Sequence, residues 1–261
     1  MSSNKKVWES EEIVSYFLSY DHLQKPEETI LSLLQPVLAS GRVLDVGVGG
    51  GRTTKFLSAA AREYVGIDYS ANMIAACRKK FRGAKHVQFL VCDGRDMRMF
   101  VDRFFDVVMF SFNGLDMVAD DDRLRVLREV RRVLRPRGLF VFSSHNLRSA
   151  PQLFRYFLVW PPLWPPWKWV LAPLTNAKRR ALNPRWFKLL DQEYAILNDG
   201  AHGWRLSTYY VDPRYQVEQL HATGFANVRF FSLASGAEIG SVEQLENNRD
   251  PWLYFLCEAK M

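Results

Sequence analysis

The stretch VLDVGVGGGRTT, residues 43–54, places an acid and several glycines at the end of an apolar run. The run ends in Asp45, and glycines stand at positions 47, 49, 50 and 51. Where a parallel strand leads into a helix, backbone N–H groups and the helix dipole can meet a ligand, and side chains would block its approach. The stretch therefore predicts a loop that holds part of a small ligand against bare backbone.

The spacing of these glycines excludes two common nucleotide-binding loops. The dinucleotide fingerprint GxGxxG would need a third glycine where Arg52 stands. The phosphate-binding Walker loop would need a Gly-Lys pair followed by Ser or Thr, which the stretch lacks. What remains is an acid at 45 followed by glycines at every second position from 47 to 51.

Other polar side chains end other apolar runs. Asp68 ends a run in VGIDYSANMI, Asp93 follows one in VQFLVCDGRDM, and His145 ends one in SSHN. Open α/β sheets bind ligands at the carboxyl ends of their parallel strands, so these side chains are expected at one edge. The carboxylate of Asp68 can accept hydrogen bonds from both hydroxyls of a ribose, and Ser70 can cap the following helix.

The elements that position these residues alternate in type along the chain. Strands are predicted at 42–46, 64–68, 87–92, 105–112 and 139–144, with helical patterns between them, which indicates a parallel α/β sheet. The helix in DDRLRVLREVRRVLRPRG is expected to run until Pro136 and Gly138 stop it. Its arginines follow the helix period without interleaved aromatic residues, which favours a solvated face over a nucleic-acid patch.

These motifs, in this order, resemble those of the class I S-adenosylmethionine-dependent methyltransferases. The resemblance extends to DPRYQVEQLHATGFANVRFF as late helix and sixth strand, and to PWLYFLCEAK as an antiparallel seventh strand. It covers most of residues 40–146 and 212–261. It implies a Rossmann-like, seven-stranded, mostly parallel α/β sheet with helices on both faces, and S-adenosyl-L-methionine as the cofactor.

The resemblance also implies a set of cofactor-binding residues at the ends of the first four strands: Asp45, Gly47, Gly49, Gly51, Asp68, Tyr69, Met73, Asp93, Gly94 and Ser111. Asp68 would hold the ribose, Tyr69 and Met73 the adenine, and Asp93 the adenine amino group. Taken singly, each also has a structural alternative: Asp45 as a loop cap, Asp93 as a turn residue and Met73 as a core residue.

The cofactor's sulfonium carries its own electrophilic methyl group, so the reaction is an in-line displacement that needs an aligned nucleophile and no metal. The candidate catalytic residues are His145, His202 and Tyr210, with His145 as our hypothesis for the base. Both histidines could instead be structural. A carboxylate or phosphate acceptor would need only positioning, for which Arg205 is the candidate.

Residues 147–211 form an insertion between the fifth strand and the late helix. It begins LFRYFLVWPPLWPPWKWVLAPL, which holds four of the eight tryptophans, and its prolines, including Pro166 and Pro173, are expected to forbid a continuous helix. Three roles remain open for it: a plug over the cofactor, a wall for an apolar acceptor, or peripheral membrane contact through 153–174, helped by the basic run at 178–180. The stretch EYAILNDGAHGWRLSTYYV predicts a hairpin that folds over the site.

Length and composition bound the remaining classes. The chain of 261 residues, 48% hydrophobic, can bury one large core. We expect residues 1–146 and 212–261 to form the cofactor-binding unit, with 1–40 as its helical cap. Residues 147–211 are expected to form a substrate lid. Neither a signal peptide nor an uninterrupted apolar span is evident, which favours a cytoplasmic protein. Three separated cysteines support neither a disulfide framework nor a zinc cluster.

The sequence thus predicts methyl transfer to an O- or N-nucleophile of a small molecule, whether lipophilic, a glycan or a natural-product intermediate. RNA and protein acceptors stay open because the net charge is +7, although there is no accessory nucleic-acid module. A protein that binds the cofactor without transfer and docks a partner or membrane surface is a second alternative. A nicotinamide dehydrogenase is a third, disfavoured by the glycine spacing. The oligomeric state is not predicted.

Overall fold

The computed structural model describes residues 7–154 and 166–261, and within the second range it describes side chains from residue 173 onward. The Trp- and Pro-rich run at 155–165 therefore lies outside the described residues. Eight helices in the described residues are used below: α1 Glu11–Ser19, α2 Lys25–Leu38, α3 Thr54–Ala60, α4 Ala71–Lys80, α5 Asp120–Val133, α6 Pro166–Leu182, α7 Pro213–Ala222 and α8 Val242–Asn247.

Short 3₁₀ helices lie at Gly114–Met117, Ala150–Phe154 and Trp186–Asp191, and a short helical turn lies at Ala201–Trp204. The strands are β1 Arg42–Val46, β2 Glu63–Asp68, β3 Val87–Val91, β4 Phe105–Phe110, β5 Leu134–Asn146, β6 Tyr194–Leu197, β7 Thr208–Val211, β8 Phe225–Ser232, β9 Glu238–Ile239 and β10 Trp252–Ala259.

The sheet has the predicted parallel core and antiparallel last strand. Its order is β3-β2-β1-β4-β5-β10-β8-β9; the first five strands are parallel, and β10 lies antiparallel between β5 and β8. The α/β fold class is therefore confirmed. The reversal of strand order between β1 and β4 creates the crevice at which such sheets bind ligands.

The described sheet has ten strands, so the prediction of seven was too small. The seven expected strands are present, and β6, β7 and β9 are added to them. The reason lies in the length of β5: its last pair with β4 is Phe142 with Phe110, and β5 continues to Asn146. The part of β5 that extends beyond β4 pairs with β7, where His145 lies opposite Tyr210. Strand β7 also pairs with β6, as the predicted hairpin.

Helix α5 ends earlier than its sequence suggested. Pro136 and Gly138 were expected to stop it, but the helix ends at Val133 because Leu134 already pairs with Phe105 in the sheet. Its apolar face, which includes Val126, Leu127 and Val130, is buried.

Helix α6 runs through Pro173, so the expectation that this proline interrupts a helix was wrong. Pro173 has no backbone N–H, so one hydrogen bond of the helix is lost there. Because Pro173 is exposed, this loss does not leave an unpaired backbone group buried in the core. No helix in the described residues is long and apolar enough to cross a membrane.

Alternating side chains of the strands build a core on each face of the sheet. Leu44 and Val46 of β1 pack with α5, whereas Val43 packs with α2 and α4 on the other face. Helix α2 begins with a capping box in which Gln24 and Glu27 exchange side-chain and backbone hydrogen bonds. The buried face of α2 therefore brings Glu27 against the carboxyl ends of the strands.

Candidate active site

A cleft opens at the carboxyl ends of the central strands. It contains about 920 Å³ of space between protein atoms, including the solvent at its open mouth. Eight of the ten predicted cofactor-binding residues line it: Asp45, Gly47, Gly49, Asp68, Tyr69, Met73, Gly94 and Ser111. Gly51 and Asp93 are not among its lining residues.

Two separate contacts exclude side chains from the glycine loop after β1. Gly47 has a φ of +64°, a conformation that residues with a side chain rarely adopt, and a Cβ there would lie 2.6 Å from the ring of Phe110. Gly50 is close to the backbone of α1, where a Cβ would lie 2.5 Å from the carbonyl oxygen of Phe17. The loop therefore serves both the cleft and the packing of the N-terminal helix.

Asp68 ends β2 and connects that strand to the glycine loop. Its Oδ2 accepts from the N–H of Gly49 at 3.1 Å, and its Oδ1 accepts from the N–H of Ser70 at 2.8 Å. Burial raises the pKa of this carboxyl to about 6, against the lowering effect of the two hydrogen bonds. Each oxygen keeps a further lone pair that can accept a bond from a ligand in the cleft.

Asp45 lies deeper than Asp68, beneath the loop. Its Oδ2 accepts from Thr53 Oγ1 at 2.5 Å and from the hydroxyl of Tyr64 at 2.7 Å. Burial raises its pKa to about 6 as well, because desolvation outweighs these two bonds. The arrangement holds the loop to β2 from below.

The structure separates Asp93 from Gly94. Gly94 lines the cleft, whereas the carboxylate of Asp93 pairs with Arg95 at 2.6 Å, and Arg95 in turn binds Asp122 at 2.7 Å. Burial acts to raise the pKa of Asp93, but the hydrogen bonds from Arg95 outweigh it and lower the pKa. The adenine contact predicted for Asp93 remains a prediction, and in this arrangement it would compete with Arg95.

A buried ionic network beside the loop was not predicted from the sequence. The guanidinium of Arg52 donates two bonds to the carboxylate of Glu27, at 2.5 and 2.6 Å, and a third to Ser111 Oγ at 2.9 Å. Ser111 also donates to Glu27, and so does the hydroxyl of Tyr254 at 2.8 Å. Burial acts to raise the pKa of Glu27, but Arg52 outweighs it and lowers the pKa.

The only local signal for this network was Arg52 itself, a charged residue directly after the glycines of the loop. Its partner Glu27 stands 25 positions earlier on a different helix, and no periodic pattern connects the two. Ser111 was predicted as a cleft residue and does line the cleft, but its hydroxyl also belongs to this network.

The mouth of the cleft is aromatic. Trp8 and Phe17 from the N-terminal segment and Phe112 after β4 line it, and the Phe17 and Phe112 ring centroids are 6.2 Å apart. The ring of His202 lies 5.3 Å from that of Trp8 and is stacked on that of Phe17 at 6.3 Å. The insertion and the N-terminal cap therefore meet at the mouth, and burial, with the nearby Arg205, lowers the pKa of His202.

His145 and Tyr210 are close together but are not among the residues that line the cleft. The Nδ1 of His145 lies 2.7 Å from Asp116 Oδ2, and its Nε2 lies 3.4 Å from the amide nitrogen of Asn113. The hydroxyl of Tyr210 donates to Asp199 at 2.9 Å, and its ring lies 4.8 Å from that of His145. Burial raises the pKa of Tyr210 well above its usual value, so it acts there as a neutral donor.

Asp116 is the centre of a second network that the sequence did not reveal. Besides His145, its carboxylate accepts from Ser144 Oγ at 2.7 Å and from Arg123 Nη1 at 2.6 Å. Arg123 is fully buried although it belongs to the arginine-rich helix α5, and it also donates to Gln216 of α7. The network fixes the turn at Gly114–Met117, of which Gly114 and Met117 line the cleft.

Within the described residues, no group of three or more His, Cys, Asp or Glu side chains could hold a metal ion. The described chain contains three free cysteines, of which Cys77 and Cys257 are buried and Cys92 lines the cleft. Burial raises the pKa of Cys92 to about 11, so its thiol is protonated at neutral pH.

Comparisons with known proteins find methyltransferases. A family profile described as "Methyltransferase domain" matches residues 43–138. The demethylmenaquinone methyltransferase of Bacillus velezensis is 30% identical over 169 residues, which cover 62% of this chain and 70% of that protein. A human thiol S-methyltransferase is 30% identical over 175 residues, covering 64% of this chain and 66% of that protein.

A solved structure of similar fold is the S-adenosylmethionine-dependent methyltransferase from Mesorhizobium loti. Its TM-score is 0.62 at 20% sequence identity, and the likeness covers 89% of this chain and 97% of that one. At this identity the likeness shows the fold alone.

Proposed function

Since the chain belongs to the class I S-adenosylmethionine-dependent methyltransferases, we propose that it transfers the methyl group to a small, apolar acceptor bound at the aromatic mouth of its cleft. The cofactor, S-adenosylmethionine, follows from the family. The nature of the acceptor and the residues that contact either molecule are the proposal.

The cleft residues fit this cofactor. Asp68 offers two lone pairs for the ribose hydroxyls, and the loop at Gly47 and Gly49 leaves room for the methionine part, where a Cβ at 47 would collide with Phe110. Tyr69 and Met73 line the side of the cleft beyond Asp68, where the flat adenine ring would stack. When bound, the cofactor supplies an electrophilic methyl group, for which the protein needs to provide no metal.

The single observation that carries the acceptor proposal is the aromatic mouth. Trp8, Phe17 and Phe112 form an apolar wall there, and Met117 adds a further apolar side chain. The one cationic side chain of the cleft, Arg52, is already paired with Glu27, so it offers little to an anionic acceptor. The names of the two relatives give demethylmenaquinone and a thiol as their acceptors, which supports a small molecule.

The roles proposed for the chain's own residues are binding, orientation and exclusion of water. The aromatic wall would desolvate the nucleophile, which strengthens every electrostatic interaction in the site. The carboxylate of Asp116 orients Nδ1 of His145 and leaves Nε2 as the basic nitrogen, turned towards Asn113. For an acceptor with an acidic proton, we propose Nε2 of His145 as the group that takes it, after Asn113 gives way.

The insertion at 147–211 is proposed to act as the substrate lid of the cofactor-binding unit formed by 1–146 and 212–261. Support comes from His202, which packs on Trp8 and Phe17 at the mouth. The partial salt bridge of Arg205 with Glu12 of α1, at 3.5 Å, adds a second contact between insertion and cap. Opening this contact would admit an acceptor without disturbing β1 or β2.

The test is transfer of labelled methyl from S-adenosylmethionine into a cell extract separated into lipid, small-molecule, RNA and protein fractions. With the cofactor below its dissociation constant, we expect label in the lipid or small-molecule fraction with the wild-type protein and at least about tenfold less with Asp68→Asn. Asp102→Asn, an exposed change outside the cleft, is the matched control and should label normally. Label confined to RNA or protein would refute the proposed acceptor while leaving the enzyme class intact.

A further inference from the structure

Exposed apolar side chains are concentrated in one described part of the insertion. Leu174, Leu182, Phe187 and Leu190 lie within 17 residues of sequence and are all exposed, Phe187 by 65% and Leu190 by 64%. Large side chains of this kind cost free energy in water unless a partner covers them. Their clustering in one segment therefore marks a surface with a function.

The inner side of this segment is already anchored to the protein. Arg179 of α6 donates to the carbonyl of Leu153 at 2.6 Å, and Arg180 donates to that of Phe154 at 2.6 Å. Trp186 of the following turn stacks on the ring of Phe154 at 5.7 Å. Both α6 and the Trp186–Asp191 turn thus rest on the same Ala150–Phe154 turn, and their opposite sides face solvent.

The outer side of α6 is a defined helical face. Leu174, Lys178 and Leu182 follow one another at intervals of four residues, which places them on one side of the helix, and all three are exposed. Arg185, Phe187, Lys188 and Leu190 continue the exposed surface along the chain, with the Nζ of Lys188 5.9 Å above the ring of Phe187. The docking face is defined here as Leu174, Leu182, Arg185, Phe187, Lys188 and Leu190.

The charge of the protein is concentrated in the same segment. Residues 147–190 contain eight lysines and arginines and no aspartate or glutamate, and the first acid after them is the exposed Asp191, which follows Leu190. Because the whole chain carries a net charge of +7, all other residues together carry a net charge of −1. The positive charge therefore belongs to this segment and not to the protein as a whole.

We propose that the docking face binds the surface of an anionic phospholipid bilayer. Exposed Leu and Phe side chains interleaved with Lys and Arg, with Asp191 as the one acid of the Trp186–Asp191 turn, match a headgroup region in which apolar side chains insert and cations meet phosphate. A nucleic acid would make use of the cations but would leave the leucines in water. A bilayer satisfies both halves of the surface.

The docking face is connected to the mouth of the cleft. Lys178, which lies between Leu174 and Leu182 on the same side of α6, has its Nζ 4.7 Å above the ring of Trp204. The short turn that contains Trp204 also holds His202 against Trp8 and Phe17. Docking would place the mouth near a membrane, where an apolar acceptor is dissolved. That consequence rests on the proposed function, whereas the docking itself does not and is measured without turnover.

The experiment is flotation of the full-length protein with vesicles of phosphatidylcholine, with and without phosphatidylglycerol. We expect flotation with the anionic vesicles, at least tenfold weaker binding to pure phosphatidylcholine, and progressive release as salt is added. Equal binding to both vesicle types, or no binding to either, would overturn the proposal.

Charge-reversal variants test which surface makes the contact. The pair Arg185→Glu and Lys188→Glu should weaken binding to anionic vesicles at least about 30-fold, on the order expected for two cations at a membrane surface. The pair Arg82→Glu and Lys85→Glu changes the net charge equally, at exposed sites on another part of the protein, and should bind like wild type. Equal losses in both pairs would show an effect of net charge alone and overturn the proposed face.

Apolar variants test insertion into the bilayer. Phe187→Ser with Leu190→Ser should weaken binding at least about tenfold, while Met99→Ser with Val101→Ser, equally exposed elsewhere, should not. Unchanged thermal melting shows that both pairs fold. A different result would refute the proposal: the wild-type protein binds RNA and no vesicles, and the Arg185 and Lys188 pair of changes abolishes RNA binding. That result would assign the surface to a nucleic acid.

Discussion

Asp68 is an acid that the fold keeps partly protonated near neutral pH. Its pKa is raised from 3.8 to about 6 by burial, and that of Asp45 is raised similarly. A raised pKa means that the folded protein holds these protons more tightly than the unfolded chain. Their contribution to the free energy of unfolding therefore falls as the pH rises from about 4 to about 6.

Cofactor binding should follow the charge of Asp68. An ionised carboxylate accepts bonds from both ribose hydroxyls, so affinity for S-adenosylmethionine should weaken as the pH falls below about 6. Calorimetric titration across this range measures the effect. Asp68→Asn should bind at least tenfold more weakly at pH 8 and lose most of the pH dependence. If the wild-type protein bound S-adenosylmethionine with the same affinity from pH 8 to pH 5, that result would contradict the ribose role of Asp68.

His145 should affect turnover without affecting cofactor binding, because it lies outside the cleft lining and is oriented by Asp116. Replacement by glutamine, which keeps a hydrogen-bonding group, should lower kcat with saturating acceptor about 10²- to 10⁴-fold. The dissociation constant of S-adenosylmethionine, measured by calorimetry, should stay within twofold. Full turnover in the variant would exclude His145 as the base.

At the scale of elements, helix α2 is attached to the sheet by the ionic network of Glu27. Glu27→Gln leaves the guanidinium of Arg52 buried without its charge partner and should lower the free energy of unfolding by about 3–5 kcal/mol. The double change Glu27→Leu with Arg52→Met, which removes both charges, should recover much of that loss. Urea denaturation measures both. A double variant as unstable as the single one would show that the charge pair is not the cause.

Helix α1 packs against the glycine loop, and this contact can be tested with one methyl group. Gly50→Ala places a Cβ 2.5 Å from the carbonyl oxygen of Phe17, so the helix must move, at a cost of about 1–3 kcal/mol. Hydrogen exchange of the amides in Glu11–Ser19 should become at least about fivefold faster. Gly240→Ala, where a Cβ meets no atom within 4 Å, is the matched control and should leave exchange unchanged.

At the scale of the whole molecule, the cofactor should stabilise the fold by mass action. The cleft is formed by the N-terminal segment, the loops after several strands and the turn at Gly114–Met117, so a bound ligand joins parts that are distant in sequence. At a concentration 100 times the dissociation constant, it contributes about 2.7 kcal/mol, or roughly 5–10 °C in melting temperature. Asp68→Asn, with binding at least about tenfold weaker, should show at most about half of this shift in differential scanning calorimetry.

The sequence by itself predicted the strands of the parallel core, in their order along the chain, and the loops that follow them. Asp68, Tyr69 and the glycines at 47 and 49 were located because each follows directly from a strand end, and all line the cleft. Such features depend on residues close together in the chain, whose hydrophobic period and turn chemistry are legible without tertiary contacts.

Tertiary structure decided what depends on long-range partners. Glu27 meets Arg52, Arg123 is buried by Asp116 and Gln216, and β7 joins the free edge of β5, all across distances that no local pattern encodes. Whether a charged residue is solvated or buried is set by which other element arrives to pair with it. For that reason the sequence revealed the cofactor and its loop, while the buried networks and the aromatic mouth required the fold.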